Sequence, residues 1–181
     1  MRSIVLLTVA ACAVAAVGAP TLAQTPAPAT PPAQPSAGGT PAAVPFDIPY
    51  GVSIGLERAT EVMAAAEAEA KRRDWKMVVA VVDTHGELVD FARMDGVQMG
   101  SGSVAIGKAR TAARFRRESR AFYDAYASGQ VYIGTLDPTL VASPGGFPLI
   151  EGGKVIGAVG CSGGTGDQDA AICKVGAEVV K

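Results

Sequence analysis

Histidine is nearly absent from this sequence, which contains one His among 181 residues. Catalytic triads and most zinc sites use histidine, and the cysteines lack the spacing of zinc ligands next to a His pair, so the sequence disfavours both kinds of site. An excess of one charge is also lacking, because 16 Lys and Arg face 17 Asp and Glu. This balance favours neither a nucleic acid nor an anionic membrane as a partner.

The N-terminus carries the pattern of an export signal. Arg2 precedes an uncharged, mostly apolar stretch over residues 4–17, which is shorter than the roughly 20 residues that a membrane-spanning helix needs. Small residues, Thr21 and Ala23, follow it. The pattern predicts a secretory signal peptide over residues 1–23, cleaved after Ala23, with lipidation of Cys12 as an alternative.

Residues 24–45 contain Pro, Ala, Thr, Ser and Gly with almost no large apolar side chain, and this composition predicts a disordered tether. Residues 46–181 then form one predicted domain in a periplasmic or secreted protein. Cleavage would leave only Cys161 and Cys173, which are compatible with a disulfide in an oxidising compartment and equally with two buried thiols.

Apolar periodicity in the domain predicts a helix, a hairpin, two helices, a second hairpin and a last helix. An additional strand before the second hairpin is compatible with the pattern. Hairpins connected in this way predict an α+β fold with an antiparallel sheet flanked by helices. The predicted ranges are helices over 52–73, 104–115, 119–128 and 168–180, the last capped by Asp167, and strands over 77–82, 87–94, 145–151 and 154–159.

Two short motifs resemble catalytic signatures without their context. Gly102 to Lys108 reads G-x-x-x-x-G-K, but Ala109 replaces the hydroxyl that a phosphate-binding loop needs for magnesium. Gly160, Ser162 and Gly164 read G-x-S-x-G, but the only histidine, His85, lies upstream instead of downstream. Neither motif predicts an active site.

Two surfaces are candidates for contacts with other molecules. Small residues on the first helix, Ala59, Ala66 and Ala70, offer a packing surface for another subunit. A basic cluster covers the second helix and its exit, and its patterning is compatible with a solvated face, a subunit interface or a carboxylate or phosphate site. The cluster comprises Lys108, Arg110, Arg114, Arg116, Arg117 and Arg120.

The motifs of the domain, taken in order, resemble those of the GlcG/HbpS family. They include the FARMDG string at 91–96, GGFP at 145–148 and VIGAVG at 155–160, followed by Ser162-Gly163-Gly164. The resemblance implies a profilin-like antiparallel sheet, as in the C-terminal domain of PduO-type proteins. It also implies a haem-binding homo-oligomer, of eight subunits, that works with a sensor or redox partner protein.

Carried over to this sequence, the resemblance marks seven ligand-binding positions: Arg93, Asp95, Lys108, Thr111, Gly146, Ser162 and Gly163. Arg93 and Lys108 could pair with haem propionates, and the iron could meet Thr111 or His85. The alternative is structural. In that case Arg93 and Asp95 fix the exit of the first hairpin, Lys108 neutralises a nearby carboxylate, and the glycines shape the backbone.

Two classes of function follow from these residues. The first is an exported protein that binds haem or a related tetrapyrrole for storage, relay or sensing. The second is an enzyme or binder for a small carboxylate-bearing metabolite, with Arg93 and Lys108 as clamps and Asp95 or Asp83 as a base. The sequence supplies no activated nucleophile or metal cluster, so it favours binding over catalysis.

Overall fold

A computed structural model describes residues 46–180, and the predicted signal peptide and tether, 1–23 and 24–45, lie outside these residues. The described chain forms a four-stranded antiparallel sheet with four α-helices and one short 3-10 helix. In chain order the elements are α1 (Leu56–Arg72), β1 (Val78–Val82), β2 (Leu88–Arg93), α2 (Ser101–Phe115), α3 (Arg120–Ala127), the 3-10 helix (Val131–Thr135), β3 (Gly146–Glu151), β4 (Lys154–Ser162) and α4 (Gly166–Ala177). The predicted α+β fold is confirmed.

The sheet has the order β2-β1-β4-β3, so β1 and β4 are central. All five residues of β1 are buried, because both faces of the sheet are covered. Val79 and Val81 belong to a core shared with α1 and α4. Val78, Ala80 and Val82 pack on the opposite face in clusters that contain alanines of α2. The protein is therefore a three-layer structure with the sheet in the middle.

Helix α2 lies unusually close to the sheet because two strand residues have no side chain. A Cβ atom on Gly160 would lie 2.1 Å from the carbonyl oxygen of Ala105, and one on Gly146 would lie 2.3 Å from that of Lys108. Both contacts are with backbone atoms, which cannot rotate away. These glycines bring α2, and with it Lys108, directly onto β3 and β4.

The first-helix alanines are part of the core instead of an intersubunit surface. Ala59, Ala66 and Ala70 are fully buried, in a cluster that also contains Ile172 and Cys173 of α4. The prediction that they pack on another subunit is therefore corrected. Their small size allows α1 and α4 to approach each other closely.

The start of α4 also differs from the prediction. The helix begins at Gly166 and its N-cap is Thr165, whose hydroxyl accepts a hydrogen bond from the backbone N–H of Gln168. The Gln168 side chain in turn accepts from the N–H of Thr165, which completes a capping box. Asp167, predicted as the cap, instead pairs with Arg120. The segment before β3 forms the 3-10 helix and not the additional strand.

Cys161 and Cys173 form a disulfide that joins the end of β4 to α4. Both residues are fully buried. The sequence left the disulfide and the free thiols open, and the structure has the disulfide. No helix within residues 46–180 is long and apolar enough to cross a membrane.

Candidate functional site

A groove lies at the end of the sheet where β1 begins and where β2 and β4 end. It consists of two adjoining cavities of about 490 and 380 Å³ that share Asp74, Trp75 and Lys76. We call it the sheet-end groove. Its other lining residues include Glu67, Lys71, Arg93, Met94 and Asp95 on one side and Gly96, Gln98, Gly163, Gly164 and Gln168 on the other.

Two cations in this groove have no carboxylate partner in the described part of the chain. Among the residues that the structure describes, neither Lys76 nor Arg93 has an Asp or Glu oxygen within 4.0 Å. Lys71, by contrast, is paired with Glu67 at 3.1 Å. Lys76 and Arg93 line this groove together with the half-buried Trp75, the only tryptophan of the chain, and the Arg73 guanidinium lies over its indole at 5.0 Å from the ring centroid. Such a groove suits a ligand with acidic groups on a flat apolar body.

One wall of the groove is the glycine turn between β4 and α4. A Cβ atom on Gly163 would lie 2.1 Å from the carbonyl oxygen of Lys76, so the turn packs directly on the backbone that carries this cation. The N–H of Gly164 donates a 2.9 Å hydrogen bond to Oδ1 of Asp169. The turn is thus held from behind by α4.

Lys108 lies behind this wall and not in the groove. Its side chain is 0% exposed, and Nζ donates to Asp169 Oδ2 at 2.6 Å and to the carbonyl oxygen of Cys161 at 3.2 Å. Burial lowers the pKa of Lys108, although the neighbouring Asp169 carboxylate opposes that shift. In this structure Lys108 neutralises a buried carboxylate and does not join Arg93 in a clamp, which corrects the predicted pairing.

Thr111 is also buried, at 1% exposure, and its hydroxyl is already used. It donates to the carbonyl oxygen of Gly107 at 2.8 Å and accepts from the N–H of Val141 at 2.9 Å. The structure therefore offers no iron contact at this hydroxyl. Ser162 is buried at the end of β4 opposite Val78, and Gly146 packs under α2. Of the seven predicted positions, Arg93, Asp95 and Gly163 line the groove.

His85 lies at the opposite end of the first hairpin. Its side chain is 82% exposed and lies in a separate cavity of about 470 Å³, which we call the His85 cavity. This cavity is also lined by Tyr50, Gly51, Thr84 and Arg114. Arg93 pairs with the first residue of β1, and β1 spans five residues before the turn that carries His85. Five residues correspond to roughly 16 Å. Arg93, the predicted propionate contact, and His85, the predicted iron ligand, therefore lie in different cavities.

The basic cluster is occupied by contacts within the chain. Arg110 and Arg114 donate to backbone oxygens of the first hairpin turn, and Arg114 also pairs with Asp137. Arg116 donates to the Ile48 carbonyl oxygen, and Arg117 stacks on the rings of Phe46 and Phe122. The cluster fixes the hairpin turn and the segment before α1, and these contacts disfavour the carboxylate or phosphate site, one of the three alternatives that the sequence left open.

Sequence reasoning missed Trp75 and Lys76. The predicted hairpin could have indicated both residues, because an antiparallel hairpin places the residues before its first strand beside those after its second strand. The structure shows this arrangement, since the N–H of Met94 donates to the carbonyl oxygen of Met77. Within residues 46–180 the structure has no group of three or more His, Cys, Asp or Glu side chains that could hold a metal ion.

Several solved structures resemble this fold, including the following two. A double mutant of HbpS from Streptomyces reticuli has a TM-score of 0.67 and 27% identity, covering 80% of this chain and 99% of the other. A PduOC:heme complex has a TM-score of 0.66 and 26% identity, covering 72% and 96%. The chain therefore has the same fold as these two proteins.

Sequence comparison gives the same result. Protein GlcG of Escherichia coli strain K12 is 36% identical over 106 residues, which cover 59% of this chain and 78% of GlcG. A family model described as haem degrading protein HbpS-like matches residues 54–178, which contain the whole sheet-end groove. The chain therefore belongs to the HbpS-like family.

Proposed function

We propose that this protein is an exported binding protein for haem or a related tetrapyrrole, and that the sheet-end groove is its binding site. The observation that carries the proposal is that Lys76 and Arg93, which have no carboxylate partner within residues 46–180, line the same groove as Trp75. Two cations suit the two propionates of haem, and an indole suits the flat macrocycle. The related PduOC:heme complex supports the ligand class.

The groove fits the acidic edge and the apolar body of a tetrapyrrole better than it fits the iron. It contains no imidazole, and its half-buried thioether, Met94, already accepts a hydrogen bond from the N–H of Met77. When bound, haem would supply its redox-active iron, whose reactivity depends on its ligands. The protein's own contribution is to hold the propionates and cover one face of the ring.

Haemin titration of the mature protein tests this site. We expect saturable quenching of Trp75 fluorescence with a Soret shift. The variant Lys76→Ala/Arg93→Ala should bind haemin about thirtyfold more weakly, because each of the two charge-assisted contacts at a partly exposed site contributes on the order of 1 kcal/mol. Lys154→Ala/Lys174→Ala is the matched control, because it removes two exposed cations outside the groove.

Three outcomes would count against the proposal. Equal weakening in the control variant would indicate a nonspecific charge effect. Loss of haemin binding in His85→Ala, with the groove variant unaffected, would place haem in the His85 cavity. A wild-type protein with no saturable response to haemin would remove the haem proposal altogether.

The alternative ligand is a small carboxylate-bearing metabolite. The exposed carboxylate of Asp95 lies beside Arg93 in the groove, an arrangement in which a cation could bind the substrate carboxylate while Asp95 accepts a proton. Asp83, the other predicted base, instead accepts two backbone hydrogen bonds within the first hairpin turn. Stabilisation by dicarboxylates in a thermal-shift panel, without a response to haemin or protoporphyrin, would favour this alternative.

Export is proposed on the N-terminal pattern, and the disulfide supports it. Disulfides persist in oxidising compartments such as the periplasm and the medium, and Cys161–Cys173 is one. We expect the mature protein to begin at Gln24, as read by N-terminal sequencing. We also expect no reaction of the denatured protein with a thiol reagent before reduction. An intact Met1, or lipid on Cys12, would contradict this prediction.

A homo-oligomer, of eight subunits by resemblance, and a sensor or redox partner protein complete the proposal. The oligomer is supported by large apolar side chains that are exposed on α3, on the 3-10 helix and directly after it, because exposed apolar surface often marks an interface. The side chains concerned are Tyr123, Tyr126, Val131, Tyr132 and Leu136. This surface replaces the first-helix alanines as the basis for the expected assembly.

A further inference from the structure

The buried ion pair between Lys108 and Asp169 has no part in the binding site described above. It links three elements, because Lys108 belongs to α2, Asp169 belongs to α4, and Nζ also contacts the Cys161 carbonyl oxygen of β4. The side chains are 0% and 3% exposed. No solvent-borne ligand can reach either group in this arrangement.

The two carboxylate oxygens of Asp169 face in different directions. Oδ2 accepts from Lys108, whereas Oδ1 accepts from the N–H of Gly164 at 2.9 Å. Gly164 and its neighbour Gly163 form the wall of the sheet-end groove. Lys108 therefore orients the carboxylate, and the carboxylate holds the wall.

The wall is in turn packed on a cation of the groove. No side chain fits between Gly163 and the carbonyl oxygen of Lys76, because a Cβ atom there would come within 2.1 Å. An outward movement of the glycine turn would leave the backbone of Lys76 unsupported on that side. The position of Lys76 thus depends on a chain of contacts that starts at Lys108.

We propose that Lys108 and Asp169 are positioning residues for the sheet-end groove, which act through the hydrogen bond to Gly164 and touch no ligand. This inference rests on the proposed binding function of the groove. A purely stabilising role would not require charge, because apolar pairs of similar volume often replace buried ion pairs without loss of stability. An apolar pair, however, has no acceptor for the Gly164 N–H.

Two double variants that differ at position 169, where one keeps this acceptor and the other removes it, test the proposal. Lys108→Met/Asp169→Leu removes both charges and the acceptor, whereas Lys108→Met/Asp169→Asn removes both charges and keeps an amide oxygen that can face Gly164. We expect the Gly164 amide of the Leu variant to exchange with solvent at least about tenfold faster than that of the Asn variant. Haemin affinity should fall about fivefold in the Leu variant alone.

Amide exchange at Gly164 and the emission of Trp75 are measured without ligand, so they test the positioning role even if the wild type does not bind haemin. In that case the proposed function fails, and the amide exchange of the two variants still decides whether the positioning role is correct. Equal amide exchange in the two variants, or equal haemin affinity in two folded variants, would overturn the inference. Lys174→Ala/Glu178→Ala removes an exposed pair at the C-terminal end of α4 and controls for effects on this helix as a whole.

Discussion

Replacing Gly160 by alanine is expected to destabilise the domain by about 3 kcal/mol or more, or to prevent folding. The added Cβ would lie 2.1 Å from the carbonyl oxygen of Ala105 and 2.6 Å from the backbone nitrogen of Ala109. Overpacked cores usually lose about 1 to 3 kcal/mol. The loss should exceed this range here, because both contacts are with the backbone of α2 and relief requires movement of the whole helix away from the sheet.

Denaturant unfolding followed by circular dichroism measures this effect. Gly134→Ala is the matched control, because no heavy atom lies within 4 Å of the added Cβ, and its stability should stay within about 0.5 kcal/mol of the wild type. A Gly160→Ala protein that unfolds within about 1 kcal/mol of the wild type would show that α2 is less closely held than the structure indicates.

The fold could be predicted from sequence because its signals are local. The buried strand β1, the turn before β2 and the Gly152-Gly153 turn between β3 and β4 are each specified within about ten residues, so the hairpins and their order were correct. The cap of α4 could also have been found. Thr165-Gly166-Asp167-Gln168 has the capping-box spacing, and the reciprocal bond from Thr165 N–H to Gln168 decides between Thr165 and Asp167.

The site could be predicted only in part because burial depends on distant partners. Lys108 looks like a free cation in sequence, since its counterion Asp169 is 61 residues away and reaches it only when α2 and α4 contact β4 from opposite faces. The cations of the basic cluster similarly find partners in the first hairpin turn and the segment before α1. Arg93 is the last residue of the edge strand β2 and Asp95 lies two residues beyond it, and both are exposed, so their position in the groove depends mainly on local sequence.

A second large effect is expected when the buried lysine loses its counterion. Asp169→Leu leaves the Lys108 ammonium in a fully buried position and should destabilise the protein by about 3 to 5 kcal/mol at neutral pH. The same change also removes the acceptor for the Gly164 N–H. Denaturant unfolding at pH 7 measures the loss relative to the wild type.

This loss should become smaller as the pH rises. Burial already lowers the pKa of Lys108 from 10.5, and the carboxylate that opposes this shift is absent in the variant. Between the lowered pKa of the folded state and 10.5, the unfolded chain binds more protons than the folded chain, so the free energy of unfolding increases with pH. The neutral amine is then the form that the folded variant buries.

The double variant Lys108→Met/Asp169→Leu separates charge from packing. Since it buries no ammonium, it should recover at pH 7 most of the stability that Asp169→Leu loses. Its free energy of unfolding, compared with that of the wild type, should not increase further between pH 7 and pH 10. An Asp169→Leu protein whose deficit is the same at both pH values would contradict the argument. In that case the loss of stability would come from changed packing against Gly145 and not from the unpaired Lys108 charge. Asp169 packs closely on this glycine, because a Cβ atom added to Gly145 would lie 2.8 Å from Asp169 Cβ.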